Sequence, residues 1–167
     1  MKLTSLLTLI GLFLLSFSPV FSAPSKPSKP SVPREEGFFI SGTEMLYQEK
    51  YQAAERDLRR ALRARETFAE AHNNLAFVLR KQGEDFYAEA LNHYNRAVEL
   101  NPKLAEAYMY RGVLHVAMGN QNLALADHQK LLELEQDALA SELEYVITNG
   151  QEKDPAQFFG VVASLKK

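Results

Sequence analysis

Residues 89–102 read EALNHYNRAVELNP, and this stretch decides the fold. Ala90 and Ala97 are small, Tyr94 stands large between them, and Pro102 ends the run. The same arrangement recurs along the chain. Ala-Glu-Ala opens at Ala69 and again at Ala105, a spacing of 36 residues. Aligned from there, Gly42, Ala76 and Gly112 share one column, and Ala54, Ala90 and Ala124 share another. Ala61 and Ala97 share a third, where Leu131 takes the last place. Large or aromatic residues fill the columns between: Phe38, His72 and Tyr108; Met45, Leu79 and His115; Leu58, Tyr94 and His128; Leu62, Val98 and Leu132. Two antiparallel helices cross closely only where side chains are small, and large neighbours then fill the grooves. A single hairpin of this kind cannot bury its own apolar face, so neighbours must stack.

The pattern resembles the tetratricopeptide repeat (TPR) family, with its period near 34 residues. Ala90, Tyr94, Ala97 and Pro102 stand at family positions, and Tyr108–Gly112, Gly119 and Ala124 continue the match in the next repeat. The resemblance implies an all-α solenoid of helical hairpins: three repeats at 35–68, 69–104 and 105–138, then a degenerate C-terminal hairpin over 139–167. Glu66 and Gln136 replace the closing proline in repeats one and three. Repeat two is two residues longer, and the extra residues fall between Gly83 and Tyr87. Phe86, within that turn, is expected to fold back on its own hairpin. In the tail, Leu139, Leu143, Val146 and Ile147 keep helical spacing, and Asn149-Gly150 stops that helix. Asp154 and Pro155 are expected to open a last helix through Phe158, Val161, Val162 and Leu165.

The N-terminus has a different character. Lys2 is followed by an apolar run from Leu3 to Phe17, then Pro19 and the small residues Ser22 and Ala23. That is the order of a secretory signal peptide, and cleavage after Ser22 fits it best, giving a signal at 1–22. The alternative is an uncleaved membrane anchor, since the run approaches the lower length limit for a bilayer span. Residues 23–34 are rich in Pro, Ser and Lys and read as an extended spacer. The expected location is therefore outside the cytoplasm, periplasmic or secreted.

Composition narrows the function. Hydrophobic residues make up 46% and charged residues 24%, as in a globular chain. The net charge of -2 and pI near 6.1 carry no nucleic-acid footprint. There are no cysteines, so disulfides, thiolate metal sites and cysteine nucleophiles are excluded. His72, His93, His115 and His128 form no His-Glu-X-X-His pair, and neither a nucleophile elbow nor a glycine-rich phosphate loop appears. No catalytic residue, metal or cofactor is expected.

The TPR resemblance implies that the first helix of each repeat lines a concave groove for a partner polypeptide. By position, that groove takes Phe39, Thr43, Leu46 and Tyr47 from repeat one, and Asn73, Asn74, Phe77, Arg80 and Lys81 from repeat two. Repeat three gives Glu106, Met109, Tyr110, Val113 and Val116. Asn73 and Asn74 can pair with an extended backbone, Arg80 and Lys81 can meet an acidic group, and the aromatics can anchor. One TPR subset clamps the C-terminal carboxylate of heat-shock chaperones with Lys, Asn and Arg. Here only Asn74 fits, while Phe39, Thr43, Glu106 and Tyr110 occupy the other clamp positions. The expectation is a non-catalytic exported scaffold for a protein or peptide. The alternative is a self-associating component of the cell envelope, pairing through Phe38, Phe39 and Ile40 at the start of repeat one.

Overall fold

The computed structural model describes residues 32–153. Among the described residues there are seven α-helices and no strand. They are α1 (Arg34–Tyr47), α2 (Tyr51–Ala64), α3 (Ala69–Gln82), α4 (Tyr87–Leu100), α5 (Ala105–Ala117), α6 (Gln121–Glu133) and α7 (Asp137–Asn149). The expected signal, residues 23–31 of the spacer and the last helix expected from Pro155 lie outside the described residues. Among the described residues, no helix is long and apolar enough to cross a membrane.

The three outer helices show how sequence writes the layer. In α2 only Ala54, Leu58 and Ala61 among the apolar residues are fully buried, spaced four and three apart, while Arg56, Arg59, Arg60 and Arg63 take other positions. Ala90, Tyr94 and Ala97 do the same in α4, and Ala124, Asp127 and Leu131 in α6. Each outer helix pairs with the helix before it, α1 with α2, α3 with α4 and α5 with α6. The hairpins then stack, α3 on α2 and α5 on α4, and α7 closes the array against both α5 and α6. This is the all-helical repeat architecture that the recurring columns predict.

The small-residue columns mark close crossings. A Cβ on Gly42 would lie 2.8 Å from Leu58 Cγ, 3.1 Å from the Leu58 backbone nitrogen and 3.2 Å from the Ala54 carbonyl oxygen. Backbone thus meets backbone where α1 crosses α2. Gly112 shares that column but serves a different neighbour, since its Cβ would meet the Leu143 methyls of α7 at 2.5 and 2.8 Å.

One turn closes three of the helices. Glu49, Gly119 and Glu135 take positive φ of 56°, 76° and 57°. The amides of Lys50, Asn120 and Gln136 then donate five residues back, to Met45, His115 and Leu131. This is the Schellman arrangement, which satisfies carbonyls that the helix end would otherwise leave open. The longer connection in repeat two is built differently: Glu84–Phe86 form a 3-10 turn, and Phe86 packs half-buried against the core.

Replacing Gly42 with Val is expected to cost about 2 kcal/mol of stability, because two backbones would have to separate. Replacing Gly37, which has open space around it, with Ala should instead gain about 0.5–1 kcal/mol from helix propensity. Urea unfolding of the two variants beside the parent checks both signs.

Candidate functional site

The inner helices are buried to an unusual extent. Every residue of α3 from Ala71 to Arg80 is buried, and so is every residue of α5 from Ala107 to Tyr110 and from Gly112 to His115. A helix in a two-layer stack buries a stripe and leaves the rest to water. Here the stripes that would face outward, Asn73–Phe77–Arg80 on α3 and Met109–Val113 on α5, are covered as well.

Some of the residues assigned to the groove touch one another between α1, α3 and α5. Thr43 and Asn74 join the first two helices, the Asn74 amide donating to Thr43 Oγ1 at 3.0 Å. Thr43 donates in turn to the Phe39 carbonyl at 2.7 Å. Asn73 Nδ2 donates to Asn74 Oδ1 at 3.2 Å. Asn73 is wholly buried, and its Oδ1 accepts no hydrogen bond. Phe77 and Tyr110 join α3 to α5, edge to face with ring centroids 4.8 Å apart. Met109 and Val113 are buried beside them, and Glu106 and Val116 are half-buried. Tyr47, by contrast, is 50% exposed. Phe39 is not the open apolar surface expected for self-association. It is 1% exposed and its ring lies 4.6 Å from the Phe68 ring in the connection between α2 and α3, because α1 turns it inward.

Arg80 is the centre of the charged end. Its guanidinium sits over the Phe77 ring at 5.2 Å and the Tyr110 ring at 5.7 Å. Its two terminal nitrogens donate to the two oxygens of Glu152 at 2.9 and 3.0 Å, a bidentate pair. Lys81 stands 3.9 Å from the same carboxylate. Burial alone would lower the Arg80 pKa, but the Tyr94 hydroxyl and the Glu152 carboxylate outweigh it and hold the cation firmly charged. At the opposite end of the face, Glu106 is pushed above the usual carboxylate range, by burial first and by the Glu70 carboxylate second.

Behind this face lies a second polar layer that sequence reasoning did not find. Arg111 donates to both oxygens of Asp127, at 2.6 and 3.1 Å, and to Asn95 at 3.0 Å, tying α5 to α6 and α4. Ser41 donates to Asp57 at 2.8 Å, tying α1 to α2. Asp57, His93 and Asp127 occupy one column of the repeat, so the recurrence of Asp was the signal to follow. In repeat two the column holds His93, whose Nδ1 lies 2.8 Å from His72 Nδ1. The Glu66 carbonyl, 2.9 Å from His72 Nε2, can only accept. His72 therefore carries its proton on Nε2, and His93 donates from Nδ1. Beside the pair is an open pocket lined by Arg59, Leu62, Arg63, Glu66 and Leu75. Among the described residues no group of three or more His, Cys, Asp or Glu could hold a metal ion.

Comparison with known proteins identifies the fold. Residues 87–119 match the sequence profile of the TPR repeat family. The fold is a TPR solenoid. Three similar solved structures are TPR proteins. The first TPR of Spaghetti (RPAP3), bound to an HSP90 peptide, shares 24% identity over 70% of this chain and 92% of that one, with a TM-score of 0.63. The TPR2B domain of yeast Sti1 in complex with pHsp70 shares 19% over 71% and 98%, with a TM-score of 0.62. YrrB, a TPR protein with an unusual peptide-binding site, shares 25% over 68% and 58%, with a TM-score of 0.61. Among curated proteins, a UDP-N-acetylglucosamine–peptide N-acetylglucosaminyltransferase of Giardia intestinalis is 36% identical over 70 residues. That match covers 42% of this chain and spans only 5% of the length of the transferase.

The histidine pair makes stability depend on pH. Burial first, and then the neighbouring His72, hold His93 down to about 4; burial likewise lowers His72. Both are depressed bases, so the unfolded chain binds more protons below its ordinary histidine pKa of about 6.5. Stability is complete above pH 6.5 and is lost as pH falls from there toward 4. With allowance for partial solvent contact, the loss from pH 7 to 5 is roughly 1–2 kcal/mol, or about 5 °C in melting midpoint. Thermal melts at the two pH values should show that drop, and His93→Leu should shrink it.

Proposed function

We propose that the protein is an exported, non-catalytic scaffold that holds a segment of a partner polypeptide along the face of α1, α3 and α5. One observation carries this reading. A line of polar and aromatic side chains, Asn73, Phe77 and Arg80, runs down α3 next to Met109 and Tyr110 of α5, on a face that the outer helices do not use for hairpin packing. Such a line suits a peptide: amides for a backbone, rings as anchors, a cation for a carboxylate. Asn73 Oδ1 is a buried acceptor that a peptide N–H would satisfy. The shared fold supports the reading too, since Spaghetti holds a peptide and YrrB is described by a peptide-binding site.

The location rests on the N-terminal sequence. Lys2, the apolar run and the small residues at 22 and 23 suit export to the periplasm or beyond, with retention as an anchor as the variant form. A three-repeat face is short, so affinity should be modest unless a tether raises the effective concentration.

The test is capture from the compartment to which the chain is exported. A tag among residues 24–33, the chain's own N-terminus and crosslinking before lysis would identify what is held. A parallel variant carries Asn73→Ala and Arg80→Ala, with helical content checked by circular dichroism. One protein is expected to be enriched by the parent and reduced about tenfold by the variant, as for loss of a hot-spot pair. Equal recovery with both would place binding on another face.

A further inference from the structure

The outer helices carry a recurring ion pair that repeat one breaks. In α4 Arg96 donates to Glu99 at 3.2 Å, and in α6 Lys130 donates to Glu133 at 3.0 Å. The two pairs occupy the same two columns of the repeat: Arg60, Arg96 and Lys130 in one, Arg63, Glu99 and Glu133 in the other. Repeat one therefore places Arg63 where the other repeats place the neutralising glutamate. Packing does not demand the change, since Arg63 is exposed. It sets two like charges on one helix face, a mildly unfavourable arrangement when nothing neutralises them.

A third arginine comes to the same place. Arg34 opens α1, and one turn later the Phe38 ring carries two guanidiniums, Arg34 at 5.7 Å and Arg60 at 4.2 Å from its centroid. Arg34, Arg60 and Arg63 line a solvent-open cavity of about 210 Å³ whose remaining walls are Phe38 and Ala64. Asp57 reaches this cluster, 3.3 Å from Arg60 Nη1, but it also accepts from Ser41 and faces Arg56 at 3.9 Å. Among the described residues, no carboxylate stands within salt-bridge distance of Arg34 or Arg63. Glu35 and Glu36 follow Arg34 in sequence but do not line the cavity. In a chain of formal net charge -2, this is a local concentration of positive charge around a concave site.

We infer that the cavity between α1 and α2 binds a phosphate group through Arg34, Arg60 and Arg63. The chemistry selects the group. A carboxylate brings one charge and two oxygens, which a single guanidinium satisfies in a bidentate pair. A phosphate monoester brings close to two charges and three terminal oxygens, enough for three guanidiniums to share. The cavity has room for one such group and a few waters. Phe38 holds two of the three cations in place before an anion arrives, and a guanidinium over a ring keeps its in-plane N–H groups for other partners. Soluble phosphate and the headgroup of phosphatidic acid present the same chemistry. None of the three arginines belongs to the candidate groove, so the two sites stand or fall separately.

The test is a titration with inorganic phosphate at constant ionic strength, followed through the arginine Nε–Hε NMR signals of the mature chain. Arg34, Arg60 and Arg63 are expected to shift together and saturate, while Arg56, on the same helix outside the cavity, does not follow them. Arg63→Glu restores the pair of the other repeats and should weaken the titration about tenfold. Arg56→Glu changes the net charge by the same amount and should leave it unaltered. Circular dichroism checks that both variants fold. Sedimentation with phosphatidylcholine vesicles, with and without phosphatidic acid, separates the two sources. Co-sedimentation that needs both phosphatidic acid and Arg63 assigns the site to a membrane headgroup; a saturable titration without co-sedimentation assigns it to soluble phosphate. Shifts shared equally by Arg56 overturn the inference, as does a titration that Arg63→Glu leaves unchanged or that Arg56→Glu weakens as much. So does the absence of both a saturable shift and sedimentation that depends on phosphatidic acid.

Discussion

The burial of α3 on all sides is the constraint on which the rest of the structure depends. From Ala71 to Arg80 no residue is left to solvent. That run includes His72, Asn73, Asn74 and Arg80, groups whose desolvation is costly unless each finds a partner. The surrounding helices supply partners in turn. Thr43 of α1 takes the Asn74 amide, His93 of α4 takes His72, and Glu152 takes Arg80. The apolar residues of the same helix, Leu75, Val78 and Leu79, meanwhile fill the core. One helix thus serves as the core of the array and as the floor of the candidate groove.

Arg80 illustrates how closely these roles are joined. A buried guanidinium needs a counter-charge, and breaking a buried pair by removing one partner is far more costly than leaving both out. Here the counter-charge comes from beyond the last described helix. The charge state of the groove is therefore linked to the short described segment that follows α7. A partner presenting its own carboxylate could take the place of Glu152 without leaving Arg80 unpaired, whereas an apolar partner could not.

Much of the fold was legible in the sequence because it is periodic. Ala54, Ala90 and Ala124 are each fully buried on an outer helix, as their shared column predicts. Gly42 crosses α2 closely for the reason the column suggests. What periodicity could not show is what happens only once. The Arg80–Glu152 pair joins residues 72 apart with no counterpart in other repeats. The His72–His93 contact replaces a carboxylate column by a neutral pair, in one repeat only. Among the residues assigned to the groove by position, Thr43 touches Asn74 and Phe77 touches Tyr110, but position alone could not reveal that all four are buried. Phe39, expected to be open, is closed for the same reason, since its ring packs on Phe68 in the connection between α2 and α3.

The central claim is that the face of α1, α3 and α5 is closed to solvent and that the Arg80–Glu152 pair helps to keep it closed. Methionine oxidation reads it directly. Met109 lies on the face and is 3% exposed, whereas Met118 is 38% exposed just beyond α5. Under dilute hydrogen peroxide, followed by peptide mass spectrometry, Met118 should oxidise readily while Met109 resists. In Glu152→Gln, Met109 should become reactive, with Met118 unchanged. Equal rates at Met109 and Met118 in the parent chain would contradict the account.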